Sequence, residues 1–269
     1  MRSIILCLLI GWLFLTKALA LSIKPPTPFP GAPVLITLPK GTEKVSFLGR
    51  DYLPFSFKGE SLVLVAVPLG TKPGRYPLVL KGKNVSKILL SVHPRQYPEE
   101  HLRVPPKMVH YPPRILARVK REVRLIRKTV NVFHPQPYLD GPFVWPVAGR
   151  ISSPFGFRRV YNGQPRSPHS GIDLACPEGT PVKAANRGKV ALVGDFYLPG
   201  KIVILDHGLG IYTVYCHLSK ILVKEGMWLE KGEVLALSGK SGRVTGPHLH
   251  FGCYIRGIKV DPKVLLEIF

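Results

Sequence analysis

The stretch Thr245-Gly246-Pro247-His248-Leu249-His250-Phe251-Gly252-Cys253-Tyr254-Ile255 decides how this chain is read. A Gly-Pro turn delivers the backbone into an apolar and aromatic run, which is the signature of a strand. Along a strand, residues at i and i+2 project to one face. His248 and His250 therefore stand side by side, with Leu249 turned into the opposite layer. Two imidazoles presented this way suit a zinc ion, for which histidine nitrogen is a common ligand.

Working outward, the sequence from Pro142 to Phe269 keeps a β rhythm. Gly-punctuated Val/Ile/Leu runs recur at Gly188–Val193, Lys201–Leu205, Ile211–Tyr215 and Val234–Leu237. No long helical period interrupts them, so residues 142–269 are read as an antiparallel β-sheet domain. Tyr215-Cys216-His217 repeats the i, i+2 spacing and predicts a third imidazole near the first two. Tyr215 beside it is a candidate for a transition-state hydrogen bond, and equally a candidate core aromatic. His169-Ser170-Gly171-Ile172-Asp173 places a histidine and a carboxylate on one side of an extended chain. Four of the nine histidines and one aspartate thus fall into three clusters within a single domain. A catalytic zinc takes three protein ligands and keeps one position for water. There is no His-Glu-x-x-His helix, which excludes a thermolysin-like site.

Upstream, residues 21–95 read as short strands separated by Pro-Gly and Lys-Gly turns. Val34–Leu38, Leu62–Val67, Tyr76–Leu80 and Lys87–Val92 predict a small immunoglobulin-like β-sandwich. Residues 96–141 hold a proline-rich linker and then a helix over Arg114–Val130. Ile115, Val119, Val123, Ile126 and Val130 line one side of it. Arg114, Arg118, Lys120, Arg121, Arg124, Arg127 and Lys128 line the other. Such a helix packs across two domains, or it lies on an anionic wall or membrane surface. Residues 1–20 carry Arg2, an apolar run from Ile4 to Leu15, and Ala18-Leu19-Ala20. This is the pattern of an export signal cleaved after Ala20, and the run is short for a membrane span. An all-β chain with one linking helix, exported to the periplasm or cell envelope, is the expected architecture.

The formal net charge is +22. Residues 21–140 hold 20 basic against 7 acidic side chains, and residues 141–269 hold 16 against 9. A basic exported protein suits anionic partners. The aromatic residues set among basic ones that mark single-stranded nucleic-acid binders are missing, so no specific nucleic acid is expected. Of the four cysteines, Cys7 lies in the expected signal; Cys176, Cys216 and Cys253 remain beyond it, an odd number whose spacing is not that of a zinc ribbon. They are read as small buried apolar residues.

The motifs together resemble the lysostaphin/LytM-type zinc endopeptidases, whose sequences carry His-x-x-x-Asp, then Tyr-x-His-Leu, then His-Leu-His-Phe. Here these are His169 to Asp173, Tyr215-Cys216-His217-Leu218 and His248-Leu249-His250-Phe251, in that order. Ser153-Pro154-Phe155-Gly156-Phe157-Arg158 and Asp206-His207-Gly208 match as well, and the likeness runs from about Val144 to the end of the chain. The resemblance implies one Zn2+ per chain held by His169, Asp173 and His250. It implies that His217 and His248 are the catalytic histidines outside the ligand set, and that His207 is structural. It implies a metalloendopeptidase that hydrolyses peptide cross-links of peptidoglycan, at glycine–glycine bonds or at bonds involving D-amino acids, the latter favoured by the two-domain exported layout. Some members are catalytically silent and activate a wall amidase. Those typically lack part of the zinc set, and all five positions are intact here. Where the family often has an acidic residue after the phenylalanine, this chain has Gly252, a departure expected to touch the groove and not the metal.

Overall fold

The computed structural model describes residues 21–103 and 111–269. The export signal expected over residues 1–20, and residues 104–110 of the linker, lie outside the described residues. The N-terminal strands are β1 (Ile23–Lys24), β2 (Pro33–Leu38), β3 (Thr42–Phe47), β4 (Arg50–Tyr52), β5 (Phe55–Phe57), β6 (Glu60–Ala66), β7 (Gly74–Gly82) and β8 (Val85–Val92). They form two four-stranded sheets, ordered β1-β2-β6-β5 and β4-β3-β7-β8. Leu48-Gly49 and Lys58-Gly59 both take positive φ, the backbone that two-residue hairpin turns require. They close the β3–β4 and β5–β6 hairpins.

Strands β2 and β6 do not alternate apolar with polar. Pro33–Leu38 and Leu62–Ala66 are apolar almost throughout, and nearly all of these residues are buried. A strand reads this way when both of its faces are covered. The second cover is the C-terminal half: one continuous apolar cluster runs from Val34, Ile36, Val63 and Val65 to Ile172, Tyr215, Phe251 and Ile255. Backbone and charge reinforce the junction. Asp261 N–H donates to Gly31 O at 2.8 Å, and Arg95 lies 3.8 Å from the Asp261 carboxylate.

The chain continues through β9 (Glu99–Leu102), α1 (Pro113–Val130), β10 (Ile151–Ser153), β11 (Arg158–Tyr161), β12 (Gln164–Pro165), β13 (Ile172–Leu174), β14 (Pro181–Lys183), β15 (Gly188–Phe196), β16 (Gly200–Asp206), β17 (Ile211–Leu218), β18 (Lys220–Ile221), β19 (Trp228–Leu229), β20 (Val234–Leu237), β21 (Leu249–Ile255), β22 (Ile258–Val260) and α2 (Pro262–Glu267). Inside the expected linker, β9 pairs in parallel with β11, so part of that linker is a strand fixed to the C-terminal half. The principal sheet has the order β10-β13-β21-β17-β16-β15-β19, with β22 extending β21. A smaller sheet β14-β20-β18 stands beside it.

The two faces of the principal sheet differ. Ile172, Tyr215, Leu249 and Phe251 turn toward the large apolar cluster shared with the sandwich. Ile202, Ile204, Val214 and Cys216 turn the other way and meet Ile126 and Val130 of α1. Helix α1 begins at a proline, where the missing N–H costs nothing. Arg127 and Lys128 in its last turn oppose the helix dipole. Its single acid, Glu122, is buried. The Glu122 carboxylate accepts from Arg118 Nε at 2.6 Å and from Tyr197 N–H at 2.9 Å, which ties the helix to the loop after β15.

Candidate metal centre

On the α1 side of the sheet, β13, β21 and β17 lie next to one another. Asp173 is the register partner of His250, and His250 is the register partner of Cys216. Partnered residues of an antiparallel pair share a face, so Asp173 and His250 point together by strand geometry alone. His169 precedes β13 in a loop. Its backbone is clamped to Gly156 and Phe157, with Gly156 N–H donating to His169 O and His169 N–H to Phe157 O. A turn, not an extended face, therefore brings His169 to Asp173. Gly171 sits between them because a Cβ there would fall 2.3 Å from Phe251 O and 2.9 Å from His250 Nε2.

The donor atoms converge. His169 Nε2 lies 3.0 Å from Asp173 Oδ1 and 3.0 Å from His250 Nδ1, and His250 Nδ1 lies 2.8 Å from Asp173 Oδ1. Among the described residues this is the one group of three or more such side chains within ligand reach of one another. The edge of a tetrahedron around zinc, with bonds of about 2.1 Å, is roughly 3.4 Å, close to these separations. The donor set, two imidazoles and one carboxylate, also fits zinc. His169 Nδ1 stands 2.9 Å from Pro154 O. An N–H donated there fixes the tautomer that leaves the Nε2 lone pair facing the ion.

The remaining two histidines border this cluster. The His217 ring lies 4.9 Å from that of His248 and 6.0 Å from that of His250, centre to centre. His217 Nδ1 stands 2.9 Å from Ser241 O, and His248 Nδ1 stands 2.9 Å from Gly246 O. Each Nδ1–H is spent on a backbone carbonyl, so each Nε2 is left as a proton acceptor. His248 Nε2 lies 3.8 Å from Asp173 Oδ1. His217 reaches this face by an irregularity. Lys201 pairs with Leu218 and Val203 with Tyr215, so Cys216 and His217 together oppose Ile202 in a bulge. His217 takes φ +63°, a left-handed backbone that few non-glycine residues adopt.

That bulge corrects the reading of Tyr215. Regular i, i+2 spacing puts Tyr215 and His217 on one face, yet Tyr215 faces the core. It is fully buried, its hydroxyl accepts from Ala185 N–H at 2.8 Å, and it lies 3.0 Å from Thr213 Oγ1. No part of Tyr215 is free to meet a substrate. The extra residue in the bulge returns His217 to the face of His250. His207 is fully buried, with Nδ1 2.8 Å from Arg187 O and Nε2 2.8 Å from Thr213 Oγ1. Cys176, Cys216 and Cys253, the cysteines among the described residues, are buried free thiols.

One residue at the site carried no signal in the spacing of the motifs. Arg159 of β11 donates to Asp173 Oδ2 at 3.3 Å and to Ser153 Oγ at 2.7 Å, holding the carboxylate from behind. Adjacent Arg158-Arg159 in the sequence was the available hint. Gly252 adjoins the site as well, since a Cβ there would lie 3.8 Å from His250 Nε2.

The electrostatics agree with a cation-binding centre. Burial pushes the Asp173 carboxyl up, but hydrogen bonds from His169 and His250 outweigh it and hold the group well below the usual carboxylate range. Burial, and then the neighbouring His250, push His217 down to about 3. Burial also lowers His250. Asp173 is thus held ionised while His217 and His250 are biased toward the neutral form, the direction that favours binding of a cation.

Residues 167–262, which include all five site positions, match the family model described as Peptidase family M23. Over 113 residues the chain is 45% identical to the peptidoglycan DD-endopeptidase ShyA of Vibrio cholerae, a stretch that is 42% of this chain and 26% of that relative. It is 42% identical over 116 residues to the DD-carboxypeptidase/endopeptidase Mpg of Neisseria meningitidis, 43% of this chain and 27% of that one. The chain spans about a quarter of the length of these two curated relatives. A Pseudomonas aeruginosa protein crystallised as a candidate peptidase M23 superposes with a TM-score of 0.73 at 33% identity, covering 90% of this chain and 96% of that chain.

Proposed function

The chain belongs to peptidase family M23, and from that premise we propose that it is a zinc-dependent endopeptidase that hydrolyses peptide cross-links of peptidoglycan. The observation that carries this is the meeting of three ligand lone pairs, from His169, Asp173 and His250, with two imidazoles whose Nε2 atoms remain acceptors. Relatives named as DD-endopeptidases favour cross-links involving D-amino acids as the substrate. A substrate in the wall, and the signal-like segment over residues 1–20, support work in the periplasm or cell envelope. We assign residues 21–95 to a supporting sandwich, 96–141 to a linking segment and 142–269 to the peptidase unit.

His169, Asp173 and His250 would hold the ion. Held there, a zinc ion would supply Lewis acidity toward the scissile carbonyl and toward water, whose pKa it would bring to about 7. The chain's own groups then manage protons. His217 and His248 are each anchored at Nδ1, so each offers Nε2 at a fixed position. One takes the proton of the attacking water as general base. The other, once protonated, meets the developing oxyanion or the leaving amine. Arg159 orients Asp173 by donating to its second oxygen.

The division of labour is tested by two variants. His250→Ala loses metal and activity together. His248→Ala keeps the metal and loses about 10²–10⁴-fold in turnover, the usual range for one general acid or base. Equal metal loss in both variants, measured by mass spectrometry after dialysis, contradicts the assignment of ligand and proton carrier.

A further inference from the structure

Helix α1 is held to the sheet by one side only. Glu122, Ile126 and Val130 face the protein, while Arg114, Lys120, Arg121, Arg124, Arg127 and Lys128 are all exposed. At 3.6 residues per turn, these six cations fall in one arc about 140° wide and extend for about 21 Å along the axis. Among the described residues no acid pairs with any of them, because Glu122 is committed to Arg118 and Tyr197. Leu116, Val123 and Leu125 are exposed along the borders of the strip. Six like charges on one helix repel one another, so a folded chain that keeps them as a ridge presents a strong field to an anionic partner.

The position of the ridge selects the partner. Ile126 and Val130 share one apolar cluster with Cys216, the register partner of His250, so helix and metal centre lie on the same face of the sheet. A partner lying along the ridge therefore runs over the sheet face that also carries the site. A flat bilayer there would cover the site, whereas a polymer mesh bearing carboxylates can run along the helix and present a cross-link to the zinc ligands. We propose that the exposed face of α1 is an exosite for the anionic glycan-peptide polymer of the wall, engaging its stem-peptide carboxylates away from the bond that is cut. This rests on the peptidase reading for its purpose, but not for its binding.

The experiment uses the full mature chain and the quadruple variant Arg114→Gln, Arg121→Gln, Arg124→Gln, Lys128→Gln. All four side chains are exposed and glutamine keeps helix propensity, and an unchanged melting temperature confirms folding. Both proteins are assayed for co-sedimentation with purified sacculi across salt, for digestion of sacculi, and for cleavage of a small soluble cross-linked muropeptide dimer. We expect sacculus binding and digestion to fall about tenfold or more, with loss of the salt dependence, while cleavage of the dimer is unchanged. Equal sacculus binding by parent and variant overturns the exosite. So does ridge-dependent binding to phosphatidylglycerol vesicles without binding to sacculi. If the parent cuts neither substrate yet binds sacculi through the ridge, the exosite stands and the peptidase reading falls.

Discussion

The principal sheet carries two constellations with the same ingredients, and only one resembles a metal centre. Asp173 has His169 and His250 beside it, and Asp206 has His134 beside it with His207 next in the chain. At the second, the polar side-chain atoms of Asp206 and His207 each have a partner. Asp206 Oδ1 accepts from Gly208 N–H at 2.8 Å, and Oδ2 takes His134 Nδ1 at 2.5 Å and the Tyr212 hydroxyl at 3.3 Å. His207 is used up by Arg187 O and Thr213 Oγ1. At the first, two imidazole nitrogens and a carboxylate oxygen crowd within 3.0 Å of one another. A buried histidine and aspartate make a clasp when their hydrogen bonds close, and a metal site when their lone pairs converge.

The contrast can be broken by exchanging the damage. Asp173→Ala is expected to abolish metal binding and turnover while leaving a folded chain. Asp206→Ala strands Gly208 N–H and His134 Nδ1, while the Tyr212 hydroxyl keeps Val132 O, and is expected to cost about 3 kcal/mol of stability with metal stoichiometry intact. Calorimetry and metal analysis of the two variants separate these outcomes, and metal loss in Asp206→Ala would erase the distinction.

The clasp also has a signature in pH. Burial pushes His207 down to about 4 from an ordinary 6.5. The unfolded chain therefore binds a proton there that the folded chain refuses between those values. The stability from keeping His207 neutral is present above pH 6.5 and is lost as pH falls toward 4, an effect of about 3 kcal/mol. His217 and His250 shift in the same direction, so the His207 share is read as the difference in slope between the parent chain and His207→Gln. A parent and a variant with parallel curves of stability against pH would remove His207 from the account.

A smaller effect is expected behind the metal. Arg159→Gln leaves Asp173 Oδ2 without its guanidinium, and loss of an outer partner of this kind costs about 10–100-fold in metal affinity. Titration against a competing chelator measures it. Arg159→Lys should recover part of the loss, because one donor can still reach the carboxylate; no change in either variant would show that Arg159 only packs.

Much of this was legible in the sequence because it depends on local rules. His248 and His250 share a face by the pleat alone, and β2 and β6 announced burial on both sides by the continuous apolar runs at Val34–Leu38 and Leu62–Ala66. What was not legible depends on departures from regularity or on distant pairing. The left-handed His217 and the bulge opposite Ile202 separate Tyr215 from His217, so that only His217 meets the site, and no residue type there marks a bulge. Strand β9 hides among prolines because its partner, β11, is far along the chain. Arg159 is recognisable only once β11 is placed behind β13. Glu122, a lone acid in a basic helix, gives up solvent for the Tyr197 backbone, a partner no helical period can name.

The central claim is that converging lone pairs at His169, Asp173 and His250 hold a zinc that cuts wall cross-links. The direct measurement is to purify the chain from Leu21, quantify zinc by mass spectrometry, and incubate the protein with peptidoglycan with and without a chelator. The account predicts about one zinc per chain and release of uncross-linked peptides that stops when the chelator is present. Absence of bound zinc, or release that persists undiminished in the chelator, would contradict it.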